Sequence, residues 1–304
     1  MDNRSASSER VYTDAEGRNF HYHYFDNGCK ALAVHFSAFF GEWGDTPKYK
    51  HIFGGYFHRL KMLSSDQSVN WLFLCDAYGA DENGTYYIGK AGDRFVDRAI
   101  TSILEDVGVG TIYQPSSLVM LGSSMGATAA LRYGLRHDAA GVIAISPHID
   151  LDTSARLQGR ERHVAWVLDG GDTQAQENSA TTREINILVD RKLEAKSTLP
   201  DLFVQTCCDD HGVYREQVVP LVEKWSCGGR VFCDVRRFGG HTSAYATRAL
   251  LLNAVHQMMI GKPLHVRRYR WSSEFSELKR FRRVTDWSLS LVRAVGRKVL
   301  RRGP

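Results

Sequence analysis

The stretch "LVMLGSSMGATAALRYGL", residues 118–135, decides the fold of this 304-residue chain. Its first part is apolar and typical of a buried strand, and its last part is alanine-rich and typical of a helix. Between them, "GSSMG" at residues 122–126 matches the pattern G-x-S-x-G, with Ser124 in the central position. Glycines two residues before and after a serine let a strand and a helix approach closely around a sharp turn. The stretch therefore predicts a strand, a turn bearing a nucleophile and a helix; the alternative is a glycine-rich turn without chemistry.

Strand-like and helix-like segments alternate along most of the chain. Residues 10–36 read as two strands joined by a "DAEG" turn, followed by a more apolar strand that ends near Phe36. After residue 118, the strands "GVIAIS", "LFVQTCC" and "GRVFCDVRRF" are separated by helix-like segments. Such alternation is typical of an α/β fold with a mostly parallel sheet covered by helices on both faces. The functional site is then expected at the carboxyl ends of the strands.

One polar stretch interrupts this alternation. Residues 149–198 are much longer than an ordinary connection of about 4 to 6 residues, so they predict an inserted cap or lid with helices of its own. We expect one domain over residues 1–262, with the cap inside it, and a separate tail over residues 263–304.

The composition is that of a globular protein with a sizeable core, because 43% of the residues are hydrophobic and 24% are charged. The N-terminal sequence has no basic segment followed by an apolar one, which favours a cytoplasmic location. Six scattered cysteines, including an adjacent pair, are typical of a reduced protein, and the absence of a CxxC pair argues against a zinc site. We therefore expect no metal.

Charge is unevenly distributed. Residues 262–304 contain 13 Lys and Arg but only three acids, a net charge of +10, so the preceding 261 residues carry −5. The spacing of the apolar residues in the tail, Trp287 among them, predicts that they lie on one face of a basic helix. Such a helix is typical of a segment that binds the anionic inner face of a membrane. The alternative is a helix docked on the domain or on a partner subunit. No nucleic-acid partner is expected, since no recognised binding module accompanies the charge.

A serine nucleophile needs a base and an acid, and the chain offers both. His241 follows the strand "GRVFCDVRRF" on a glycine-rich loop, directly before a helix. The preceding strand ends in two candidate acids, Asp209 and Asp210, between which the sequence does not choose; the unused one would be a helix cap or solvated. His148 ends another strand and is expected to line the site, although it precedes the acid loop.

The order of serine, aspartate and histidine on alternating strands and helices resembles the α/β-hydrolase superfamily, over residues 10–260. The resemblance implies that Ser124 is the nucleophile, that His241 is the general base and acid, and that one aspartate orients His241. It also implies an oxyanion hole made by the backbone N–H of Met125 and by that of Ser37 or Ala38. The loop "VHFSAFFGEWG", which contains the second donor, departs from the common HGGG form.

The stretch "CDAYGADENGTYYIGKAGD", residues 75–93, is similar to members of this superfamily from bacterial surface-glycan pathways. These include sugar O-acetyltransferases and proteins of the accessory secretion system. The similarity implies that Asp76, Tyr78, Tyr86 and Tyr87 border a substrate cleft, where aromatic rings and carboxylates suit sugars. The alternative is an ordinary turn with tyrosines in the core.

Together these features predict serine-dependent acyl transfer. The substrate would be a small-molecule ester or a glycan, and the enzyme a carboxylesterase, a deacetylase or an O-acetyltransferase. No cofactor is expected, except acetyl-CoA as the donor of a transferase. The alternative is a non-catalytic scaffold of the same fold in a membrane-associated glycan or secretion assembly.

Overall fold

The structure is a computed structural model that describes residues 8–39, 57–90, 92–168, 180–210 and 212–264. The basic tail predicted for residues 263–304 thus lies outside the described residues, apart from its first two positions. Its membrane contact stays a prediction.

Eight strands form one mixed sheet. They are β1 (Glu9–Thr13), β2 (Asn19–Phe25), β3 (Leu32–Phe36), β4 (Asn70–Leu74), β5 (Leu118–Ser123), β6 (Gly141–Ile145), β7 (Asp201–Cys207) and β8 (Val231–Arg236). The order across the sheet is β1-β2-β4-β3-β5-β6-β7-β8. The β1–β2 and β2–β4 pairs are antiparallel, and all other pairs are parallel. The strand order along the chain, with an initial hairpin, is as predicted from the sequence.

Helices connect most of the parallel strands. The α-helices are α1 (Leu60–Leu63), α2 (Phe95–Asp106), α3 (Met125–Arg136), α4 (Leu151–Gln158), α5 (Glu161–Leu168), α6 (Glu184–Glu194), α7 (Val219–Trp225) and α8 (Arg248–Met259). Helices α4, α5 and α6 lie within the stretch predicted as a cap. Within the described part of the chain, none of these helices has both the length and the apolar character that crossing a bilayer requires.

The core is divided between the two faces of the sheet. On one face, Val96, Leu131 and Val189 of α2, α3 and α6 pack against the buried strand residues. On the other face, Leu251 and Val255 of α8 pack with their neighbours. Strands β3 to β6 are buried on both sides, which explains their continuous apolar sequences.

Two of the later helices have distinctive starts. A π-helical turn, Tyr214–Val218, directly precedes α7. The last helix begins at Arg248, because the Thr247 side chain accepts a hydrogen bond from the backbone N–H of Leu250 and caps the helix there.

Four charged residues lie between α2, α3 and α6 and are here called the α3 ion-pair network: Asp97 and Arg132, which are buried, and Arg136 and Glu184, which are half-buried. Arg132 lies 3.1 Å from Asp97 and 3.0 Å from Glu184, and Arg136 contacts both acids, at 2.7 Å from Asp97. Arg132 also donates a 3.0 Å hydrogen bond to the carbonyl of Tyr86. The network therefore ties the 76–89 loop to the helix that begins at the serine turn.

Candidate active site

Ser124 lies on a strained turn between β5 and α3. Its φ of 52° and ψ of −121° are unusual for a residue with a side chain. The turn is held by a 2.8 Å hydrogen bond from the Ser124 N–H to the carbonyl of Ile145. A Cβ atom on Gly126 would clash with the backbone carbonyls of Phe36 and Ser37, and one on Gly122 would clash with the carbonyl of Gly126. Both glycines are therefore needed for the close approach that the sequence pattern predicted.

Three side chains from three loops meet at the carboxyl ends of β5, β7 and β8. The His241 Nε2 atom is 2.7 Å from Ser124 Oγ, and its Nδ1 atom is 2.8 Å from Asp210 Oδ2. With Nδ1 protonated and donating to Asp210, Nε2 is free to accept from the serine hydroxyl. Asp210 is fully buried. We call Ser124, His241 and Asp210 the Ser124 row.

The structure distinguishes the two neighbouring aspartates. Asp210 points to His241, whereas the exposed Asp209 accepts hydrogen bonds from the backbone N–H groups of Gly239 and Gly240, at 3.2 and 2.8 Å. Asp209 thus holds the loop that carries His241 and does not touch the imidazole. Its exposure agrees with the solvated role, one of the two expected for the unused aspartate, and the two hydrogen bonds to the loop come in addition.

Two further contacts fix the Ser124 row. The hydroxyl of Ser146 donates a 2.9 Å hydrogen bond to the carbonyl of Thr242, next to His241. The second carboxylate oxygen of Asp210 accepts a 3.2 Å hydrogen bond from the Gln158 amide, at the end of α4. Sequence reasoning missed Gln158, because nothing in the local sequence indicates that the last residue of this helix reaches an acid 52 residues away.

The backbone at the expected oxyanion hole selects one of the two proposed second donors. The Ser37 N–H donates to the carbonyl of Leu74 at 3.1 Å and is therefore occupied. This corrects the assignment of Ser37 as a candidate donor. The N–H groups of Met125 and Ala38 have no hydrogen-bond acceptor among the described residues. Of the two candidates for the second donor, only Ala38 has an N–H group that is free in the described part of the chain and could act together with that of Met125.

Asp76 and Tyr78 have structural contacts in place of the predicted contact with substrate. Asp76 is buried, and one carboxylate oxygen accepts from the N–H and hydroxyl of Thr85 and from the N–H of Tyr87, at 2.6 to 2.8 Å. The Tyr78 hydroxyl donates to the carbonyl of Asn19 at 2.8 Å, and its ring lies against Phe95. Both residues therefore stabilise the 76–89 loop.

His148 lies beside the Ser124 row, as expected, but is fully buried. Its ring centroid is 4.7 Å from that of His241, and its Nδ1 atom is 3.2 Å from the hydroxyl of Tyr86. Burial, aided by the charge on His241, holds the pKa of His148 well below its ordinary value, so the ring is neutral. Its Nε2 atom has no hydrogen-bond partner among the described residues.

The tyrosines of the 76–89 loop belong to the core. Tyr86 and Tyr87 are both buried, and both adopt positive φ values, of 54° and 58°. The Tyr87 hydroxyl donates to the carbonyls of Ser37 and Leu74, each at 3.1 Å. Tyr87 thus positions the backbone just before the Ala38 N–H, and only Tyr86 reaches a side chain of the site.

The second serine of the "GSSMG" turn has a different environment. Ser123 Oγ accepts a 2.6 Å hydrogen bond from Arg59, a buried side chain whose pKa burial lowers to about 10. Arg59 also donates to the carbonyl of Ser243, two residues after His241, at 3.3 Å. Ser123 therefore takes part in packing beneath the turn, and of the two serines only Ser124 contacts His241. Sequence reasoning missed Arg59.

The described residues contain no cluster of three or more His, Cys, Asp or Glu side chains arranged to hold a metal ion. The site itself offers a hydroxyl, an imidazole, a buried carboxylate and two backbone N–H donors. These are the groups that nucleophilic acyl transfer uses.

Sequence comparisons give no relative for this chain. No protein-family model matches it, and no curated protein sequence matches it.

Solved structures do resemble it. The capsule O-acetyltransferase of Neisseria meningitidis serogroup A aligns with a TM-score of 0.62 at 19% identity, over 84% of this chain and 96% of that one. The fluorophosphonate-binding serine hydrolase FphF of Staphylococcus aureus aligns with a TM-score of 0.57 at 13% identity, over 84% and 98%. An S-formylglutathione hydrolase from Agrobacterium tumefaciens aligns with a TM-score of 0.55 at 11% identity, over 86% and 98%.

These alignments cover nearly the whole of each solved chain, and the proteins share the α/β-hydrolase fold. The sheet order, the turn at Ser124 and the alignments together show that this chain has the α/β-hydrolase fold. The fold predicted from the sequence is confirmed.

Proposed function

We propose that this α/β-hydrolase-fold chain is a serine-dependent acyl-transfer enzyme, with Ser124, His241 and Asp210 as its catalytic triad. The observation that carries the proposal is the Ser124 row itself. Its two hydrogen bonds, 2.7 and 2.8 Å long, join a serine on a strained turn to a buried aspartate through one imidazole. A structural turn needs neither the strain nor the aligned imidazole.

The geometry supports the following first half-reaction. Ser124 Oγ attacks the ester carbonyl while its proton passes to His241 Nε2, and Asp210 stabilises the imidazolium that forms. The carbonyl oxygen becomes an oxyanion, which the N–H groups of Met125 and Ala38 stabilise. Collapse of this intermediate breaks the bond to the leaving group, and His241 returns the proton to it. The product is an acyl group on Ser124.

In the second half-reaction, an acceptor hydroxyl takes the acyl group from Ser124. His241 removes the acceptor proton and returns it to Ser124 Oγ as the bond between Oγ and the acyl carbon breaks, which restores the free serine. The acceptor is either water, which gives an esterase or deacetylase, or a sugar hydroxyl, which gives an O-acetyltransferase. The likeness to a capsule O-acetyltransferase supports a carbohydrate-type acceptor. A transferase of this kind would take its acetyl group from acetyl-CoA as a cosubstrate.

The turnover of p-nitrophenyl acetate tests the proposal. Wild-type protein should release p-nitrophenol, and Ser124→Ala should lower this rate by about 10⁴-fold or more, since the nucleophile is lost. Ser123→Ala is the matched control and should keep the activity, although leaving Arg59 without its partner lowers stability. Added glycans should accelerate release and gain acetyl groups if the enzyme is a transferase.

Equal rates for wild type and Ser124→Ala would contradict the proposal. A cellular role that survives Ser124→Ala would point to the scaffold alternative.

A further inference from the structure

Arg160 is a positively charged side chain near the site that has no acidic partner in the part of the chain that the structure describes. It lies in the short connection between α4 and α5, where its backbone N–H donates to the carbonyl of Ala155 at 2.9 Å. Its own carbonyl accepts from the N–H groups of His163 and Val164. The backbone is therefore anchored. No carboxylate of the described residues forms an ion pair with the guanidinium, and its buried Nη1 atom has no hydrogen-bond partner there.

An aromatic ring holds this guanidinium in place. The Arg160 Cζ atom is 4.4 Å from the ring centroid of Phe39, the residue directly after the candidate oxyanion donor Ala38. Stacking on an aromatic face fixes the plane of a guanidinium and leaves its edge N–H groups free to donate. The guanidinium thus offers N–H donors for a bidentate acceptor, and its Nη1 atom binds no acceptor among the described residues.

Arg160 is connected to the site through its neighbours. Its ring partner Phe39 directly follows Ala38, and Gln158, two residues before Arg160, donates a 3.2 Å hydrogen bond to Asp210. Burial is the main cause that lowers the pKa of His148, and the charge on Arg160 acts in the same direction. The His148 ring is tilted against that of His241, with ring centroids 4.7 Å apart. The contacts of Phe39 and Gln158 thus place Arg160 next to the residues of the site.

We propose that Arg160 is a specificity-determining residue that binds an anionic group, a carboxylate or a phosphate, on the substrate of the acyl transfer. The inference rests on the proposed function and deepens it by assigning the substrate class. An unpaired guanidinium that is partly removed from water loses hydration, and an anionic ligand restores the missing hydrogen bonds bidentately. Such a group can lie on the acyl donor, as in a phosphate-bearing thioester, or on an acidic acceptor.

Pairs of esters that differ in one charge test the inference. On the leaving-group side, 4-acetoxybenzoate is compared with its neutral methyl ester; on the acyl side, mono-4-nitrophenyl glutarate is compared with 4-nitrophenyl valerate. Wild-type protein should show a higher kcat/KM for the anionic member of at least one pair. Arg160→Gln should lower this preference by about tenfold or more, mainly through KM, since a charge-assisted hydrogen bond is lost.

The controls separate recognition from folding. Arg160→Lys should restore part of the preference, because it keeps the charge but not the planar fork. Arg156→Gln, on the exposed face of α4, should keep the full preference. Arg160→Gln should lower kcat/KM for the anionic ester much more than for its neutral counterpart. A wild type without any preference, or an unchanged preference in Arg160→Gln, would overturn the inference.

Binding measured without turnover keeps the two proposals separate. The affinity of 4-hydroxybenzoate and of pyrophosphate is measured by calorimetry for Ser124→Ala, with and without Arg160→Gln. Loss of binding on removal of Arg160 supports the anion site even if wild type turns over no ester, which would contradict the proposed function alone. Equal affinities of both variants for both anions would overturn the anion site.

Discussion

The α3 ion-pair network and the Ser124 site are both polar and largely buried, but they differ in how completely their groups are paired. In the network, Asp97 and Glu184 each contact both Arg132 and Arg136. In the site, several polar groups have no hydrogen-bond partner among the described residues. They are the backbone N–H groups of Met125 and Ala38, the Nε2 atom of His148 and the Nη1 atom of Arg160.

This difference in pairing distinguishes a region that stabilises the fold from a region that is suited to bind a ligand. A buried polar group without a partner costs about 1 to 3 kcal/mol, so a fold has no reason to retain several at one place unless a ligand completes them. The two regions are also connected, since Arg132 donates to the carbonyl of Tyr86 and thereby holds the loop that carries the hydroxyl next to His148. The α3 ion-pair network therefore supports the Ser124 site.

The largest expected effect comes from changing the acid of the Ser124 row. Asp210→Asn should lower kcat/KM by about 10⁴-fold with little change in folding, because an amide that donates to Nδ1 selects the wrong tautomer of His241. The rate of p-nitrophenyl acetate hydrolysis measures this effect. Asp209→Asn is the matched control and should cost less than about tenfold, since Asp209 contacts only the Gly239 and Gly240 amides. Similar losses in both variants would remove the distinction between the two aspartates.

The next effect belongs to the network. Asp97→Asn should lower the free energy of unfolding by about 3 kcal/mol, because it leaves Arg132 and Arg136 with one acid fewer in a buried position. Urea denaturation measures the loss. The rate per folded molecule should stay near that of wild type. An activity loss that exceeds the folded fraction would show that the network acts on the chemistry and not only on the fold.

The same residue gives a pH dependence with a defined sign. Burial alone would raise the pKa of Asp97, but Arg132 and Arg136 outweigh burial and lower it to about 2. The ionised form therefore stabilises the fold above the ordinary aspartate pKa of about 4, and this stabilisation is lost as the pH falls toward 2. The difference in unfolding free energy between wild type and Asp97→Asn should shrink over that range. A difference that stays constant from pH 5 to pH 2 would contradict the assignment.

The smallest effect tests the contact between the cap helix and the Ser124 row. Gln158→Ala removes the 3.2 Å hydrogen bond to Asp210 and should lower kcat by about threefold to tenfold, as expected for one hydrogen bond to a charged group. The rate of p-nitrophenyl acetate hydrolysis measures this effect, and Arg156→Gln, on the same helix, is the control. An unchanged rate in Gln158→Ala would show that Gln158 does not position Asp210.

The sequence predicted the fold and most of the Ser124 row because the signals are local. A strand, a G-x-S-x-G turn and a helix occupy 18 consecutive residues. Gly122 is required by a backbone contact within that turn, whereas Gly126 is required by the approach of the turn to the carbonyls of Phe36 and Ser37. The histidine followed from its position after a strand. The choice between Asp209 and Asp210 did not, because it depends on which carboxylate the loop turns toward His241.

The residues that sequence reasoning missed or misassigned depend on contacts distant in the chain. Gln158 reaches Asp210, Arg59 reaches Ser123, and Arg160 lies over Phe39. Asp76 looked like a residue of the cleft because carboxylates suit sugars, but the chain folds Thr85 and Tyr87 back onto it. Such pairings follow from the packed fold and have no signature in the local sequence.

Transfer of the acyl group to Ser124 is tested directly by the intact mass of the protein. Wild-type protein is mixed briefly with p-nitrophenyl acetate, quenched in acid and measured beside Ser124→Ala and Ser123→Ala. Wild type and Ser123→Ala should each gain one acetyl group, located on the peptide that contains Ser124, and Ser124→Ala should gain none. An acetyl group that persists in Ser124→Ala, or no adduct and no released p-nitrophenol in wild type, would contradict the transfer of the acyl group to Ser124.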